Sequence, residues 1–360
     1  MSQSTDRQER VLKRRRLFDM NIENVGDEVQ ISTNENDGVD LETIEEERFA
    51  SQHVQCELIS DSDTRMSVKK FDNNPDAINF YTGFDDYEHF KFVFNVLGPA
   101  VDHLNSCNDC KLEPVDQFFV TLIKLRLAKE DLELSFMFNI SPRTVGSIFN
   151  TWVKFMYYQF KEIDIWPSKE NVLQYMPKNF GRQFMSTRVI LDATEVPIMK
   201  PSNVTSQSAT FSTYKNKNTL KTMIGITPKG LVSYISDSYG GSSSDRQIIE
   251  RSPLVTEKGK YFEGGDSIMS DRGIRIQDMF DTFNIKVNTP HMLEGKSQLN
   301  PEDVIFDRRV ASKRIHVERV IGLAKTYKIL VCPLNQSKKQ MGSFIIYVCF
   351  LLANFRRSIV

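Results

Sequence analysis

Residues 188–198 read RVILDATEVPI, an apolar run that is interrupted by the acid Asp192. Side chains alternate between the two faces of a strand, so Asp192 shares a face with Ile190 and Thr194. A carboxylate inside a core strand is costly unless it is paired or bound to a metal. The run therefore predicts a strand that carries either a buried structural acid or a metal ligand.

Further strand and helix patterns follow this run in a regular order. Apolar runs between turn residues predict strands at 189–193, 220–226, 231–235, 267–271 and 285–288. Helical patterns begin at 243–245 and cover 274–283, 308–326 and the apolar C-terminal segment. The order βββαβαβα is that of the ribonuclease H-like fold. We therefore expect an α/β (α+β) protein with a ribonuclease H-like catalytic domain.

A helical region precedes these strands, and its best-defined part is 115–157. The run Asn139-Ile140-Ser141-Pro142 breaks it, with Ser141 as an N-cap and Pro142 at the first helical position. Two short helices, a turn and a final helix with a polar face are typical of a helix-turn-helix. The side chains expected to contact DNA are Arg143, Thr144, Ser147 and Asn150. An ordinary helical bundle packed on the next domain is the alternative.

The charges divide the chain more sharply than its formal net charge of -1 suggests. Residues 1–16 hold six basic side chains, whereas residues 17–47 hold eleven acids and no Lys or Arg. This composition predicts a disordered charged tail over 1–47. Within it, the Lys13–Arg16 run is a nuclear-import signal, a phosphate-binding arm or simply a solvated tail. We expect a nuclear protein.

The sequence disfavours a membrane-spanning segment and a structural zinc site. The N-terminus is charged, and the longest apolar run, Phe344–Ala353, is half of the roughly 20 residues that a membrane span needs. Cys107 and Cys110 form a lone C-x-x-C without a second ligand pair. We therefore expect a soluble protein with reduced thiols and no membrane partner.

Two more acids are candidates for chemistry beside Asp192. Asp271 ends the fourth strand, where α/β sheets place ligand sites, although it could instead cap a helix. Glu318 shares one helical stripe with Arg314 and Lys325, and a surface ion pair with Arg314 is its alternative role. Two-metal phosphoryl transfer needs several convergent carboxylates, and carboxylate oxygens suit Mg²⁺ or Mn²⁺.

Several motifs together resemble those of the DDE superfamily endonucleases of Harbinger-type transposable elements and of host genes derived from them. The matching stretches are LRLAKEDLELSFMFNISPRTVGSIFNTW, LDATEVPI, YKNKNTLKTMIGITPKGLVSYISDSYGGSSSD, IMSDRG and RIHVERVIGLAK. The resemblance implies that Asp192, Asp271 and Glu318 are the catalytic residues and bind two Mg²⁺ (or Mn²⁺) ions. It implies strand cleavage by water, followed by attack of the new 3′-hydroxyl on target DNA. Glu195, Asp245 and Asp266 are then left with structural roles.

The resemblance also implies the partners. These are DNA, a separate DNA-binding accessory protein and further copies of the chain on DNA. The side chains expected to contact DNA in the catalytic domain are Lys215, Lys221, Arg314, Arg319 and Lys325. Lys215 and Lys221 could instead decorate a strand edge.

Three functions stay open at this stage. They are an active transposase, a domesticated DNA- or chromatin-binding protein that does not cut, and a hydrolase of another phosphodiester.

The expected domain organisation follows from these segments. A charged tail (1–47) precedes a helical region with the helix-turn-helix (48–160) and a linker (161–187). The catalytic domain (188–333) and a C-terminal helix that packs on it (334–360) complete the chain.

Overall fold

The computed structural model describes residues 65–104, 112–293, 295 and 298–358. The predictions for the tail at 1–47 and for Cys107 and Cys110 concern residues outside this part. The described residues beyond position 60 belong to one compact unit.

The helices and strands of the described residues alternate in the C-terminal half, whereas the N-terminal half is helical. The helices are α1 (Pro75–Thr82), α2 (Tyr87–Val96), α3 (Pro114–Leu127), α4 (Asp131–Phe138), α5 (Pro142–Lys161), α6 (Lys169–Gln174), α7 (Val204–Thr210), α8 (Asp245–Glu250), α9 (Pro253–Thr256), α10 (Lys258–Tyr261), α11 (Gln277–Phe280), α12 (Pro301–Ala324), α13 (Gln336–Lys339) and α14 (Gly342–Asn354). The strands are β1 (Thr187–Pro197), β2 (Phe211–Ser212), β3 (Lys217–Ile226), β4 (Val232–Ile235), β5 (Tyr239–Gly240), β6 (Ser267–Met269) and β7 (Lys286–Asn288). Short 3₁₀ helices cover Val68–Phe71, Pro99–His103, Lys178–Phe180, Arg182–Phe184, Asp281–Phe283 and Lys328–Leu330.

The strands form one mixed sheet with β1 at its centre. β1 pairs with β3 in antiparallel register and with β6 in parallel register, and β7 extends the parallel side. β4 pairs antiparallel with the outer edge of β3, as the short strands β2 and β5 do at its other end. The order β4-β3-β1-β6-β7 is an antiparallel meander followed by two parallel strands, which is the ribonuclease H-like arrangement expected from the sequence.

The alternation of side chains along β1 divides the core into two clusters. Ile190 and Val196 face a large cluster that also contains the apolar faces of α12 and α14. Val189 and Leu191 face a smaller cluster with α8 and α11 on the other side of the sheet. Because Asp192 follows the same alternation as Ile190, it lies on the face that α12 covers.

The helices α3, α4 and α5 pack together through buried aromatic and charged groups. Asn139 ends α4 in the left-handed conformation, and the Ser141 hydroxyl accepts a hydrogen bond from the backbone N–H of Thr144 at the start of α5. Inside the unit, the Trp152 indole N–H donates to Gln117 Oε1 at 3.0 Å. Lys124 of α3 is buried, forms an ion pair with Asp131 of α4 and lies over the ring of Phe149.

Several predicted elements have different bounds in the structure, and three of these differences lie near the acids or on the helix that carries Glu318. The fourth predicted strand ends at Met269, so Asp271 lies in the following loop rather than in the strand. The helix predicted from residue 274 begins at Gln277, because Ile274 and Ile276 are buried in the smaller cluster before the helix starts. The long helix begins at Pro301, seven residues earlier than the apolar periodicity indicated.

None of the described helices is long and apolar enough to cross a membrane.

A close backbone contact beside β5 generates a stability prediction. A Cβ on Gly240 would overlap the carbonyl oxygen of Ala209, which is backbone and cannot swing away. We expect Gly240→Ala to lower the free energy of unfolding by about 2–4 kcal/mol. The matched control is Gly259→Ala, because Gly259 is exposed and a Cβ there meets nothing within 4 Å. Urea unfolding of the two variants measures the difference, and equal stabilities would contradict the contact.

Candidate active site

Two acids come together because β1 and β6 run parallel. Ile190 of β1 is opposite Met269 of β6, and Asp192 and Asp271 each follow two residues later. Equal offsets from a paired position bring both carboxylates to the same end of the sheet. Asp192 is half-buried and accepts a hydrogen bond from the backbone N–H of Ala193 at 3.0 Å.

The third acid, Glu318, reaches this end of the sheet from α12. Arg314, one helical turn earlier, connects it to the loop after β6. The Arg314 guanidinium lies 2.8 Å from Asp271 Oδ1 and 3.9 Å from Glu318 Oε1. The two alternatives considered for Glu318 therefore coexist, since it pairs with Arg314 and also lies beside the strand acids.

Asp192 is electrostatically distinct from the other two acids. Burial raises the pKa of Asp192 to about 6, and the negative charges of Asp271 and Glu318 act in the same direction. The charge of Arg314 opposes this rise. Because this pKa is still below 7, the Asp192 carboxylate is charged at neutral pH. Among the described residues, it has no ion-pair partner.

The donor atoms of this site suit a hard divalent cation. All three side chains offer carboxylate oxygens, which Mg²⁺ and Mn²⁺ prefer. Within the part of the chain that the structure describes, no three acidic, His or Cys side chains are gathered closely enough to hold a metal ion. The Arg314 guanidinium lies between Asp271 and Glu318. The three carboxylates fit a divalent cation in their chemistry.

His316, which sequence reasoning missed, anchors α12 against the rest of the domain. His316 is buried, and its Nδ1 donates to the carbonyl oxygen of Pro228 in the β3–β4 turn at 3.0 Å. Burial lowers the pKa of His316, so its imidazole is neutral at pH 7. Its ring also packs against Phe180. No local motif indicates these contacts, since their partners are distant in sequence.

Glu195 and Lys221 form an ion network on the other face of the sheet. They are directly opposite each other in the β1–β3 register, with Lys221 Nζ 3.6 Å from Glu195 Oε1 and 3.3 Å from Asp245 Oδ1. Glu195 also accepts hydrogen bonds from the hydroxyls of Ser212 and Thr219. Lys221 is therefore largely buried among acids, away from the face of Asp192, rather than presented to solvent.

Asp266 lies at the opposite end of β6 from Asp271. It is buried and lies 2.9 Å from Lys169 Nζ and 3.4 Å from Arg188 Nε. This cluster joins the segment before β1 to the sheet. Asp266 is therefore a structural acid just before β6, and the other end of β6 leads to Asp271.

Basic groups border the three acids on the side of the β2–β3 hairpin. Lys325, just after α12, is half-buried, and burial lowers its pKa, as do the charges of Lys215 and Lys217. Asp192 and Glu195 act on it in the opposite direction. Lys215 is exposed on the hairpin with its ammonium over the ring of Tyr214. Arg319 is exposed on α12.

The four predicted DNA contacts of the helical region lie at the start of α5. Arg143 and Asn150 are exposed, whereas Thr144 and Ser147 are partly buried. The Thr144 hydroxyl is within 2.9 Å of the capping Ser141 hydroxyl, so it takes part in the cap as well. The opposite face of α5 is buried against α3 and α14, which leaves this polar face outward.

Comparison with known families agrees with the class that this geometry defines, a ribonuclease H-like domain with carboxylates at one end of its sheet. Residues 191–354 match the family model described as DDE superfamily endonuclease. Residues 110–162 match the model described as the helix-turn-helix of DDE superfamily endonuclease. The chain therefore contains a DDE superfamily endonuclease domain, preceded by the helix-turn-helix of that superfamily. No curated protein and no solved structure gives a significant match.

These matches confirm the fold class and the helix-turn-helix expected from the sequence. They also confirm the resemblance to DDE superfamily endonucleases, a family that generally uses divalent metal ions.

The raised pKa of Asp192 predicts an unusual effect of its removal. The pKa is about 6 in the folded protein against an ordinary 3.8. The folded state therefore binds more protons between these pH values, and stability falls as pH rises from about 4 to 6. In chelator, we expect Asp192→Asn to raise the free energy of unfolding by about 1–2 kcal/mol at pH 8, with the gain vanishing near pH 4.

Denaturant unfolding across this pH range measures the effect. Asp271→Asn is the matched control, because Asp271 is half-exposed and pairs with Arg314, so replacing its charge removes an ion pair and not a buried, unpaired carboxylate. A destabilised Asp192→Asn protein at pH 8 would contradict the prediction.

Proposed function

We propose that this chain is a metal-dependent DNA transposase that cuts DNA strands at transposon ends and joins them to target DNA. The observation that carries the proposal is the convergence of Asp192, Asp271 and Glu318 at one end of the sheet in a chain of the DDE endonuclease superfamily. In this proposal the three acids are the catalytic residues and the ligands of two Mg²⁺ or Mn²⁺ ions.

The chemistry assigns a task to each group of side chains. Two divalent cations would polarise the scissile phosphate and activate the attacking oxygen, first of water and then of a DNA 3′-hydroxyl. Asp192, held in the central strand, supplies the least mobile carboxylate. Asp271 and Glu318 come from a loop and a helix, so they can adjust to the phosphate. Their partial exposure leaves the end of the sheet open to a DNA backbone.

Positive groups around the acids would bind the DNA backbone. Arg314 lies beside the acids and the charge of Asp192 acts on Lys325, whereas Arg319 and Lys215 are exposed basic groups on α12 and before β3. Each of the four can neutralise a phosphate. Lys221 has a structural role in this proposal, because it is already paired with Glu195 and Asp245.

The helix-turn-helix would provide further contacts to the element end. Arg143 and Asn150 are exposed on the outer face of α5, and a recognition helix presents such residues to the major groove. Thr144 and Ser147 lie on the same face and would contribute shorter contacts. We also propose a nuclear location, which the Lys13–Arg16 run favours as an import signal. Assembly of several copies on DNA and help from a separate DNA-binding protein are proposed as the family resemblance implies.

Strand cleavage is the direct test of this function. The substrate is a supercoiled plasmid that carries the inverted repeats flanking the gene, incubated with Mg²⁺ or Mn²⁺. We expect nicking at the repeat ends that chelator abolishes, and a loss of at least about a thousandfold in Asp192→Asn, because a metal ligand is removed. Glu302→Gln is the matched control, an exposed acid on the same helix as Glu318. Cleavage by Asp192→Asn at the wild-type rate would refute the site.

The DNA contacts of α5 make a separate prediction. We expect Arg143→Ala to weaken binding to the inverted repeat and to reduce the slope of log affinity against log salt by about 0.9, the value for one lost phosphate contact. Lys91→Ala is the control, since Lys91 lies on α2 and pairs with Glu88. Fluorescence anisotropy at several salt concentrations measures both variants. An unchanged slope in Arg143→Ala would remove Arg143 from the DNA interface.

A second function is favoured by one observation, the pairing of Arg314 with Asp271 and Glu318. A chain whose acids stay neutralised in this way would bind DNA without cutting it, as a domesticated descendant does. Repeat binding in the anisotropy assay, with no nicking under Mg²⁺, Mn²⁺ or Co²⁺, would identify this function.

A further inference from the structure

The Arg314 side chain is less exposed to solvent than the side chains of Asp271 and Glu318, the two acids beside it. Its side chain is 14% exposed, against 49% for Asp271 and 58% for Glu318. The guanidinium therefore lies beneath the two acids rather than on the surface above them. Such a position is costly for a cation unless the carboxylates beside it are charged.

The contacts of Arg314 use the oxygen atoms that a metal ion would need. Nη1 lies 2.8 Å from Asp271 Oδ1 in an ion pair, and Nη2 approaches Glu318 Oε1 at 3.9 Å. The Arg314 Nε is buried and has no hydrogen-bond partner among the described residues. The guanidinium is thus held through its two terminal nitrogens alone.

We propose that Arg314 is a built-in counter-ion of Asp271 and Glu318, which a divalent cation must displace in order to bind. This inference rests on the proposed function, since it assumes that the three acids are metal ligands. It accounts for acids that lie near one another without forming a compact cluster. The guanidinium stabilises the two carboxylates in the metal-free protein, and the same contact weakens metal binding.

The surroundings give the displaced side chain a place to go. Arg314 also lines an open cleft of about 530 Å³ together with Asp271, Arg272, Asp307 and Arg308. A rotation of the long side chain into this cleft releases both carboxylates without moving the backbone of α12. Asp307, already 3.6 Å from Arg272 Nη2, is an acid within the cleft that can receive the guanidinium.

Direct metal binding tests the proposal without measuring DNA cleavage. The full chain, stripped with chelator, is titrated with Mn²⁺, and free Mn²⁺ is followed by electron paramagnetic resonance. We expect Arg314→Met to bind Mn²⁺ about tenfold more tightly than the wild type, because the competing positive charge beside Asp271 and Glu318 is removed. Arg309→Met is the matched control: it removes the same charge from the same helix, but Arg309 donates to Gln183 rather than to an acid. We expect its Mn²⁺ affinity to change less than about twofold, since an exposed charge farther from the site is screened by solvent.

The variants separate failure of the counter-ion from failure of the proposed site. Unchanged or weaker Mn²⁺ binding in Arg314→Met, with loss of binding in Asp192→Asn, overturns the counter-ion alone. Equal Mn²⁺ binding in the wild type and Asp192→Asn overturns the metal site and with it the proposed function. Arg314→Gln repeats the test with a polar side chain, and circular dichroism verifies that each variant is folded.

Discussion

The central strand β1 holds a carboxylate, Asp192, inside a paired sheet, and the arrangement of the active end depends on this constraint. β1 is paired on both sides, with β3 antiparallel and β6 parallel. A slip of one residue in either register would move Asp192 to the opposite face of the sheet. The pairing is specified by apolar side chains on both faces of β1, which must reach two different cores. Hydrophobic packing thus sets the position of a polar group.

Asp192 and Glu195 lie three residues apart in β1 and therefore on opposite faces of the sheet, so their environments differ. Glu195 meets Lys221 across the strand pair and accepts two hydroxyl donors, so its charge is satisfied within the fold. Asp192 faces the other way, toward α12, and Arg314, whose charge acts on it, is also paired with two further acids. The fold pairs the Glu195 carboxylate with a cation and leaves the Asp192 carboxylate without one among the described residues. A cation-binding group requires such an unpaired charge.

The helix-turn-helix and the sheet belong to one packed structure. Tyr157 of α5 contacts Phe344 and Tyr347 of α14, and the large core continues from the helical region to the face of β1 that carries Ile190. A DNA end held by the outer face of α5 would therefore be held in a constant relation to the three acids. The buried ion pair between Lys124 and Asp131 ties α3 to α4 and so supports the same unit.

Much of the fold could be predicted from the sequence, because periodicity and turn residues act locally. The two-residue alternation of 188–198 located the central strand and the face of Asp192, and the Ser141-Pro142 pair located the start of α5. Segments whose conformation depends on distant contacts were not predicted. The insertion of α7 and β2 before β3 is one example, and the early start of α12 is another.

By itself, the sequence determined the order of the main strands and helices, the acids that share a face with apolar core residues, and the family that their motifs resemble. Only the tertiary structure decided which charges meet. It paired Lys221 with Glu195, placed His316 against the Pro228 carbonyl and brought Arg314 between Asp271 and Glu318. The physical reason is that an ion pair depends on distances of a few ångströms across elements far apart in the chain, and no local pattern of residues encodes those distances.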